Sequence, residues 1–247
     1  MIAVLFLALP HPSIASNCQV EKSDKTIVIT QVYDGDSVKS STGEKVRLIG
    51  VNTTEMNYKK GMPQAFAKKA KRFLQTKILN KKVSLSLGKE KSDRYGRTLA
   101  HIFTLAGENV QQSLLANGLA FHVIIPPNLK YKNCYQAAEK LAKSKNVGLW
   151  ANKISHPTLI NEKYNSETGF QSIQGKVKQI IRNKSNIKLK LAENFSLRID
   201  KKNLPYFDSI QINQLRNKQI VVRGWISSFK NQFQMRVRHP ETIQILK

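Results

Sequence analysis

Asp34-Gly35-Asp36-Ser37-Val38, a polar turn at Ser41-Thr42-Gly43-Glu44, then Lys45-Val46-Arg47-Leu48-Ile49-Gly50-Val51 and Asn52-Thr53-Thr54-Glu55: this stretch decides how the chain is read. Two carboxylates bracket a glycine at a strand entrance. The chain turns back near Gly43, and a second strand delivers an arginine, a carboxamide and a carboxylate. If the two strands pair, these polar groups meet at one sheet edge. An Asp, an Asn oxygen and a backbone carbonyl then form a hard, oxygen-rich set of the kind that suits Ca²⁺. Arg47 beside them has the fork needed to grip a phosphate with two charge-assisted hydrogen bonds. The same residues also read as a Gly-containing turn with solvated acids and a surface arginine. This stretch alone leaves both readings open.

Working outward, 25–33 reads as a strand, and 37–40 and 44–51 complete a meander around Gly43. Pro63 sits where a first helical turn tolerates it, and Ala65, Phe66, Lys69, Ala70, Phe73, Leu74, Lys77 and Ile78 follow at helical spacing. Strands are expected around Val83, Leu85 and Leu87 and over 98–105. A short helix through Val110, Leu114 and Leu115 ends at Gly118. Residues 121–125 are extended, and a last helix carries Ala138, Leu141 and Ala142 ahead of Gly148-Leu149-Trp150. Five strands and three helices, with one helix between the third and fourth strands, predict an α+β, mainly β fold: a five-stranded barrel of the OB type.

Residues 153–170 read as a linker, and 171–247 as a second small β-rich unit, with a second OB-like barrel as one option. Its strand signals cover 173–181, 187–191, 195–199, 219–226, 233–237 and 242–246, with a helical stretch over 209–215. Trp225, Phe229, Phe233 and Arg236 read either as a stacking surface for single-stranded bases or as core aromatics beside a solvated cation.

The charge bounds the partner. The 247 residues hold 41 Lys+Arg against 16 Asp+Glu, a net of +25. Residues 171–247 account for +12 and the remainder for +13, so both parts are basic. Such an excess repels itself in a compact state and points to a polyanion. DNA or RNA leads, because neutralised phosphates release counterions. A membrane surface is the runner-up, without the long basic amphipathic helix it would use.

The N-terminus has an apolar run, 1–10, then small residues with a cleavage pattern at Ser13-Ile14-Ala15. This reads as a signal peptide over 1–16, although no Lys or Arg precedes the run. It implies a periplasmic or secreted protein. Behind such a leader the two cysteines, Cys18 and Cys134, are expected as one disulfide; two unpaired thiols are the alternative.

Asp93-Arg94-Tyr95-Gly96-Arg97 adds a second arginine on a tight turn entering a strand. Two arginines and a cation around a carboxylate make a minimal phosphodiesterase. The positive groups answer the charge that builds on the phosphoryl group, and Glu55 orients or deprotonates water.

These motifs, with Gly148-Leu149-Trp150 and in this order, resemble the staphylococcal nuclease (thermonuclease-like) family over residues 25–152 or so. The resemblance implies an OB-type barrel and Ca²⁺-dependent cleavage of DNA and RNA. By position it implies that Arg47, Glu55 and Arg97 are catalytic and that Asp36 ligates the metal. It further implies that Thr53 ligates through its carbonyl and that Asp34 is a supporting acid. Asn52 stands where the family usually has a metal-ligating Asp; its oxygen still coordinates, with one charge fewer. Thr54 stands where Pro is usual, and Phe121-His122-Val123-Ile124-Ile125 occupies a region where the prototype has tyrosines. Tyr95 and Arg94 are expected to touch a phosphate or sugar. Lys59 and Lys60 read as a basic loop steering the strand, or as a solvated turn. His101 and His122 are expected to be structural. The competing reading is a nucleic-acid-binding protein on a weakened nuclease scaffold. A monomer is the expected state.

Overall fold

The computed structural model describes residues 18–20, 22–57, 61–165, 167–207 and 211–246. The expected signal peptide and Lys59 and Lys60 lie outside the described residues, as do the first two residues of the helical stretch expected over 209–215.

The N-terminal strands are β1 (Lys25–Val32), β2 (Ser37–Ser40), β3 (Lys45–Leu48), β4 (Val51–Asn52), β5 (Lys82–Ser92), β6 (Thr98–Thr104) and β7 (Phe121–His122). Helices α1 (Ala67–Ile78), α2 (Val110–Ala116) and α3 (Lys132–Ser144) accompany them. Five strands close into a barrel in the order β1-β2-β3-β6-β5, as expected. The meander pairs Ser37 with Arg47 and Val38 with Val46. Because side chains alternate, Val38 and Val46 enter the core while Ser37 and Arg47 share the other face. β3 then runs parallel to β6, which brings the entrance of β6 beside Arg47. The short pair β4–β7 stands apart from the barrel and sets Asn52 opposite Phe121.

Helix α1 buries Ala67, Ala70, Leu74 and Ile78, one stripe at helical spacing. It starts four residues after Pro63, which lies in the preceding loop rather than in the first turn. Gly35 explains how close α1 comes to the meander: a Cβ there would sit 2.6 Å from Ala70 Cβ and 2.6 Å from Thr53 Cγ2. Asn109 caps α2 by accepting from Gln112 N, and Gly118, at φ +63, ends it. The Cys18–Cys134 disulfide joins the chain before β1 to α3.

The C-terminal strands are β8 (Thr158–Ile160), β9 (Gly169–Lys176), β10 (Gln179–Arg182), β11 (Asn186–Ala192), β12 (Phe195–Asp200), β13 (Gln219–Phe229), β14 (Gln232–Arg236) and β15 (Ile243–Ile245). They form one eight-stranded sheet in the order β10-β11-β12-β14-β13-β9-β8, with β15 on β13. It encloses a core of its own, including Ile173, Leu189, Phe195, Leu197, Ile220 and Met235. The segment expected as a linker joins this sheet: β8 pairs in parallel with β9, and Ile160 and Tyr164 enter its core. Too short to show periodicity, β8 reads as loop in the sequence. The strand expected over 173–181 breaks at Val177 into β9 and β10. Among the described residues no helix is long and apolar enough to cross a membrane.

Candidate active site

The residues singled out in the opening stretch converge at the rim of the barrel. Asp36 is buried, and its Oδ2 accepts from Thr53 N at 2.8 Å and Thr53 Oγ1 at 3.1 Å. The same oxygen pairs with Arg47 Nη2 at 3.1 Å. Arg47 is fixed further by Nη1, which donates to Leu48 O at 2.9 Å and Val51 O at 3.0 Å. Its Nη2 also donates to Asn52 Oδ1 at 3.2 Å, and Asn52 Nδ2 donates to Thr53 O at 3.3 Å. Asp34 Oδ1 accepts from Asp36 N at 2.9 Å, the local turn that an Asp-Gly-Asp run favours.

Arg97 arrives from the turn before β6. Asp93 holds it twice: Arg97 Nε donates to Asp93 Oδ2 at 2.8 Å, and Arg97 N to Oδ1 at 3.0 Å. Arg97 Nη1 then donates to Ser37 Oγ at 3.2 Å, and Ser37 Oγ donates to Asp36 Oδ1 at 3.1 Å. A continuous chain therefore links the two guanidiniums through Ser37 and Asp36. Tyr95 is exposed beside them, its hydroxyl accepting from Arg94 Nη2 at 2.6 Å.

Glu55 sits in the loop after β4. Its backbone is clamped by Gln64, whose Oε1 accepts from Glu55 N at 2.8 Å while Gln64 N donates to Glu55 O at 2.9 Å. Thr54 Oγ1 donates to Ala65 O at 2.7 Å and ties the same loop to the approach to α1. The Glu55 carboxylate itself has no hydrogen bond among the described residues. Partial burial and the charge of Asp36 raise its pKa, against the pull of Arg47 and Arg97. Burial and the charge of Asp36 push Asp34 up to about 7. For both carboxylates burial is the larger cause and the neighbouring Asp36 charge the smaller.

The donor set tests the fit of a cation. Every donor around Asp36, Asn52 and Thr53 is an oxygen, which suits a hard divalent ion and not a thiolate or imidazole metal. No group of three His, Cys, Asp or Glu poised for a metal occurs among the described residues. Any ion here would therefore draw on the amide and backbone oxygens as well as on Asp36. Asn52 Oδ1 now faces Arg47, so ligation by Asn52 requires that contact to yield.

Sequence reasoning missed Ser37, Asp93 and Gln64. Ser37 was signalled by register, since it pairs with Arg47. Asp93 was signalled by its place at the start of the turn, four residues before Arg97. Gln64 had no local signal, because its contact spans a loop. Both histidines expected to be structural are buried. Burial drives His101 down to about 3, and it hydrogen-bonds Tyr135 Oη at 2.8 Å. Burial likewise lowers His122 to about 4. The aromatic quartet of the second unit is dispersed. Phe229 is exposed at a hairpin end, whereas Phe233 packs on Tyr164, with ring centroids 5.0 Å apart. Arg236 pairs with Asp200 at 3.1 Å, and Trp225 leans on Phe170.

Fold and site together define an OB-type barrel protein that gathers Arg47, Arg97, Asp36 and Glu55 at one rim. Comparison with known sequences agrees. The staphylococcal nuclease homologue family profile matches residues 45–152. A thermonuclease of Staphylococcus intermedius is 35% identical over 129 residues, covering 51% of this chain and 76% of that protein. A thermonuclease of Staphylococcus hyicus is 33% identical over 133 residues, 53% and 78% respectively. Endonuclease YncB of Bacillus subtilis (strain 168) is 28% identical over 136 residues, 53% and 64%. The chain belongs to the staphylococcal nuclease homologue family.

Proposed function

We propose that the chain is an exported, Ca²⁺-dependent nuclease that hydrolyses phosphodiester bonds of DNA or RNA. Nuclease action follows from the family, whose relatives above are thermonucleases and an endonuclease. The observation that carries the residue roles is the Arg47–Asp36–Ser37–Arg97 chain with the Glu55 carboxylate, without a hydrogen bond among the described residues, in Coulombic reach of both arginines.

Arg47 and Arg97 bind the phosphoryl oxygens and hold the charge that grows on them. Carbonyls hold Arg47 Nη1 and Asp93 holds Arg97, so both guanidiniums are positioned before the reaction, with the Arg47 Nη2 contact to Asn52 yielding to the ion. Glu55 holds a water and accepts its proton; its raised pKa makes it a better base than an ordinary carboxylate. Asp36, Asn52 Oδ1 and Thr53 O would hold Ca²⁺, supported by Asp34, and the ion would add positive charge at the phosphate. Tyr95 and Arg94 contact the substrate backbone, and Lys59 and Lys60 steer it. Residues 17–152 form the nuclease unit, and 171–247 add nucleic-acid binding. The Cys18–Cys134 bridge supports a location outside the reducing cytosol, periplasmic or secreted.

The test is plasmid and single-strand digestion with Ca²⁺ and with chelator, on the wild type and on Glu55→Gln. Cleavage is expected only with Ca²⁺ and is expected to fall about 10²–10⁴-fold in the variant, the range of a lost general base. Purified protein that shifts DNA in a gel yet cleaves under no divalent ion would reduce the chain to a binding protein on this scaffold.

A further inference from the structure

We propose that the cleft between the barrel and the C-terminal sheet binds the single-stranded nucleic acid flanking the scissile bond. The inference rests on the nuclease reading above. The cleft has a volume of about 780 Å³. One wall is the 123–125 run after β7, with the Lys140 and Lys143 face of α3. The other is β13, the end of β14 and the segment after it, carrying Trp225, Arg236 and Arg238.

The charge balance of the cleft is what selects an anionic occupant. Five cationic side chains line it against two carboxylates, and both carboxylates are already engaged. Glu139 holds Arg223 at 2.7 Å and Lys143 at 2.9 Å, and Glu241 holds Lys132. Lys140 is exposed on α3, and Arg238, though it feels the charges of Asp200 and Glu90, forms no salt bridge among the described residues. Arg238 is half-buried next to Arg236, so burial and that neighbour both work against its charge. A phosphate would relieve both.

The aromatic content selects a single strand. Trp225 is partly exposed and braced edge-on by Phe170 at 4.8 Å, a rigid indole with a free surface. A base stacks on such a face only when it is unpaired. Two links tie the cleft to the active-site elements. Asn52 pairs with Phe121 across β4–β7, and the cleft wall begins at the next residue, His122. Arg238 lies within Coulombic reach of Arg94, in the turn that carries Tyr95 and Arg97. A strand leaving the arginine pair meets Arg238 and then the cleft.

The probes are labelled oligothymidylates of about fifteen and about four nucleotides, within the range of single-strand site sizes. They are titrated with the full-length protein in chelator, followed by anisotropy over a range of salt. Each phosphate contact on a single strand contributes about 0.7 to the logarithmic salt slope. Lys140→Gln with Arg238→Gln is therefore expected to lower the slope by about 1.4 and the affinity for the long probe about 25-fold at 0.1 M salt. The short probe, unable to span the cleft, is expected to lose less. If the double variant does not fold, Lys140→Gln alone, exposed on α3, is expected to lower the slope by about 0.7 and the affinity about 5-fold. Unchanged slope and affinity for the long probe would overturn the proposal. Because no cleavage occurs in chelator, the two readings fail separately. Intact binding without Ca²⁺-dependent digestion sinks the nuclease reading, and digestion with unaltered variant binding sinks the cleft.

Discussion

Replacing Arg223 with Ala should loosen the contact between the barrel and the C-terminal sheet, and the size of the effect should depend on pH. Arg223 Nη2 donates to Glu139 Oε1 at 2.7 Å and to His122 O at 3.1 Å. Its guanidinium also covers Phe121, at 4.9 Å, and Trp150, at 5.3 Å. Glu139 is buried on α3, and its Oε1 accepts from His122 N at 2.7 Å. Burial opposes its charge, yet Arg223, Lys143 and the His122 N–H together hold its pKa down to about 2 from an ordinary 4.5. That lowering corresponds to roughly 3 kcal/mol of folded-state preference for the carboxylate. Removing one partner of a buried pair costs about 3–5 kcal/mol in general. Lys143 and the His122 N–H remain in the variant, so about 2–3 kcal/mol is expected here.

The pH dependence follows from the direction of the shift. A carboxylate whose folded pKa lies below its unfolded one contributes full stability above the unfolded value. That contribution is lost as pH falls through the folded value. The gap between wild type and Arg223→Ala should therefore be complete at pH 7 and shrink between about 4.5 and 2. What persists in acid is the packing of the arginine stem and plane on the two rings, about 1 kcal/mol. Urea unfolding followed by tryptophan fluorescence at neutral and acid pH measures both limits, since Trp150 and Trp225 flank the contact. A gap under about 0.5 kcal/mol at pH 7, the size of an ordinary surface substitution, would refute the reasoning. So would a gap that stays constant as Glu139 is protonated.

Asp93→Asn keeps the turn-forming side chain but weakens its grip on Arg97; kcat should fall about 10–100-fold with KM changed less, and a raised KM with kcat unchanged would show a binding role instead. Asn52→Asp adds a negative oxygen 3.2 Å from Arg47 Nη2 and should lower the Ca²⁺ concentration for half-maximal cleavage about tenfold; an unchanged requirement would show that Asn52 is not a ligand. Cys134→Ser opens a covalent loop with a sequence separation of 116 and should cost about 3–5 kcal/mol, read by thermal unfolding against the wild type with and without reductant. Reductant that leaves the wild type unaffected would show that the bridge adds nothing.

The barrel was legible because its information is local. The 34–55 meander pairs as its alternation requires, so Asp36, Arg47 and Asn52 meet from sequence spacing alone. The Asp93-to-Arg97 turn is equally short-range. What escaped was non-local or too brief to pattern. Ser37 matters only because β6 runs beside β3 and swings Arg97 over it. Gln64 acts across the loop after Glu55, and the three residues of β8 show no period. Most of the second sheet's other strands were legible, with β9 and β10 merged into one, but not their eight-stranded assembly. Its order places β14 between β12 and β13, including a parallel pair that no hairpin signal announces.

The departure at 121–125 is where the two units explain each other. The family prototype has tyrosines in this region, and their absence reads in isolation as a lost stacking surface. In the folded chain Phe121 lies edge-on to Trp150, at 5.4 Å, and against Phe170 of β9, at 5.5 Å, with Arg223 of β13 over its face. His122 is buried, and its backbone N–H and C=O engage Glu139 and Arg223. A tyrosine at 121 would need a hydrogen-bond partner for its hydroxyl among these rings, at a desolvation cost of about 1–3 kcal/mol if none were found. Apolar residues here are what a docked second unit requires. If that unit supplies the exposed indole of Trp225 across the cleft, Phe121→Tyr should weaken the contact between units without restoring affinity for a single strand. A gain in affinity for the long oligothymidylate from that change would show that the tyrosines had been lost and not replaced.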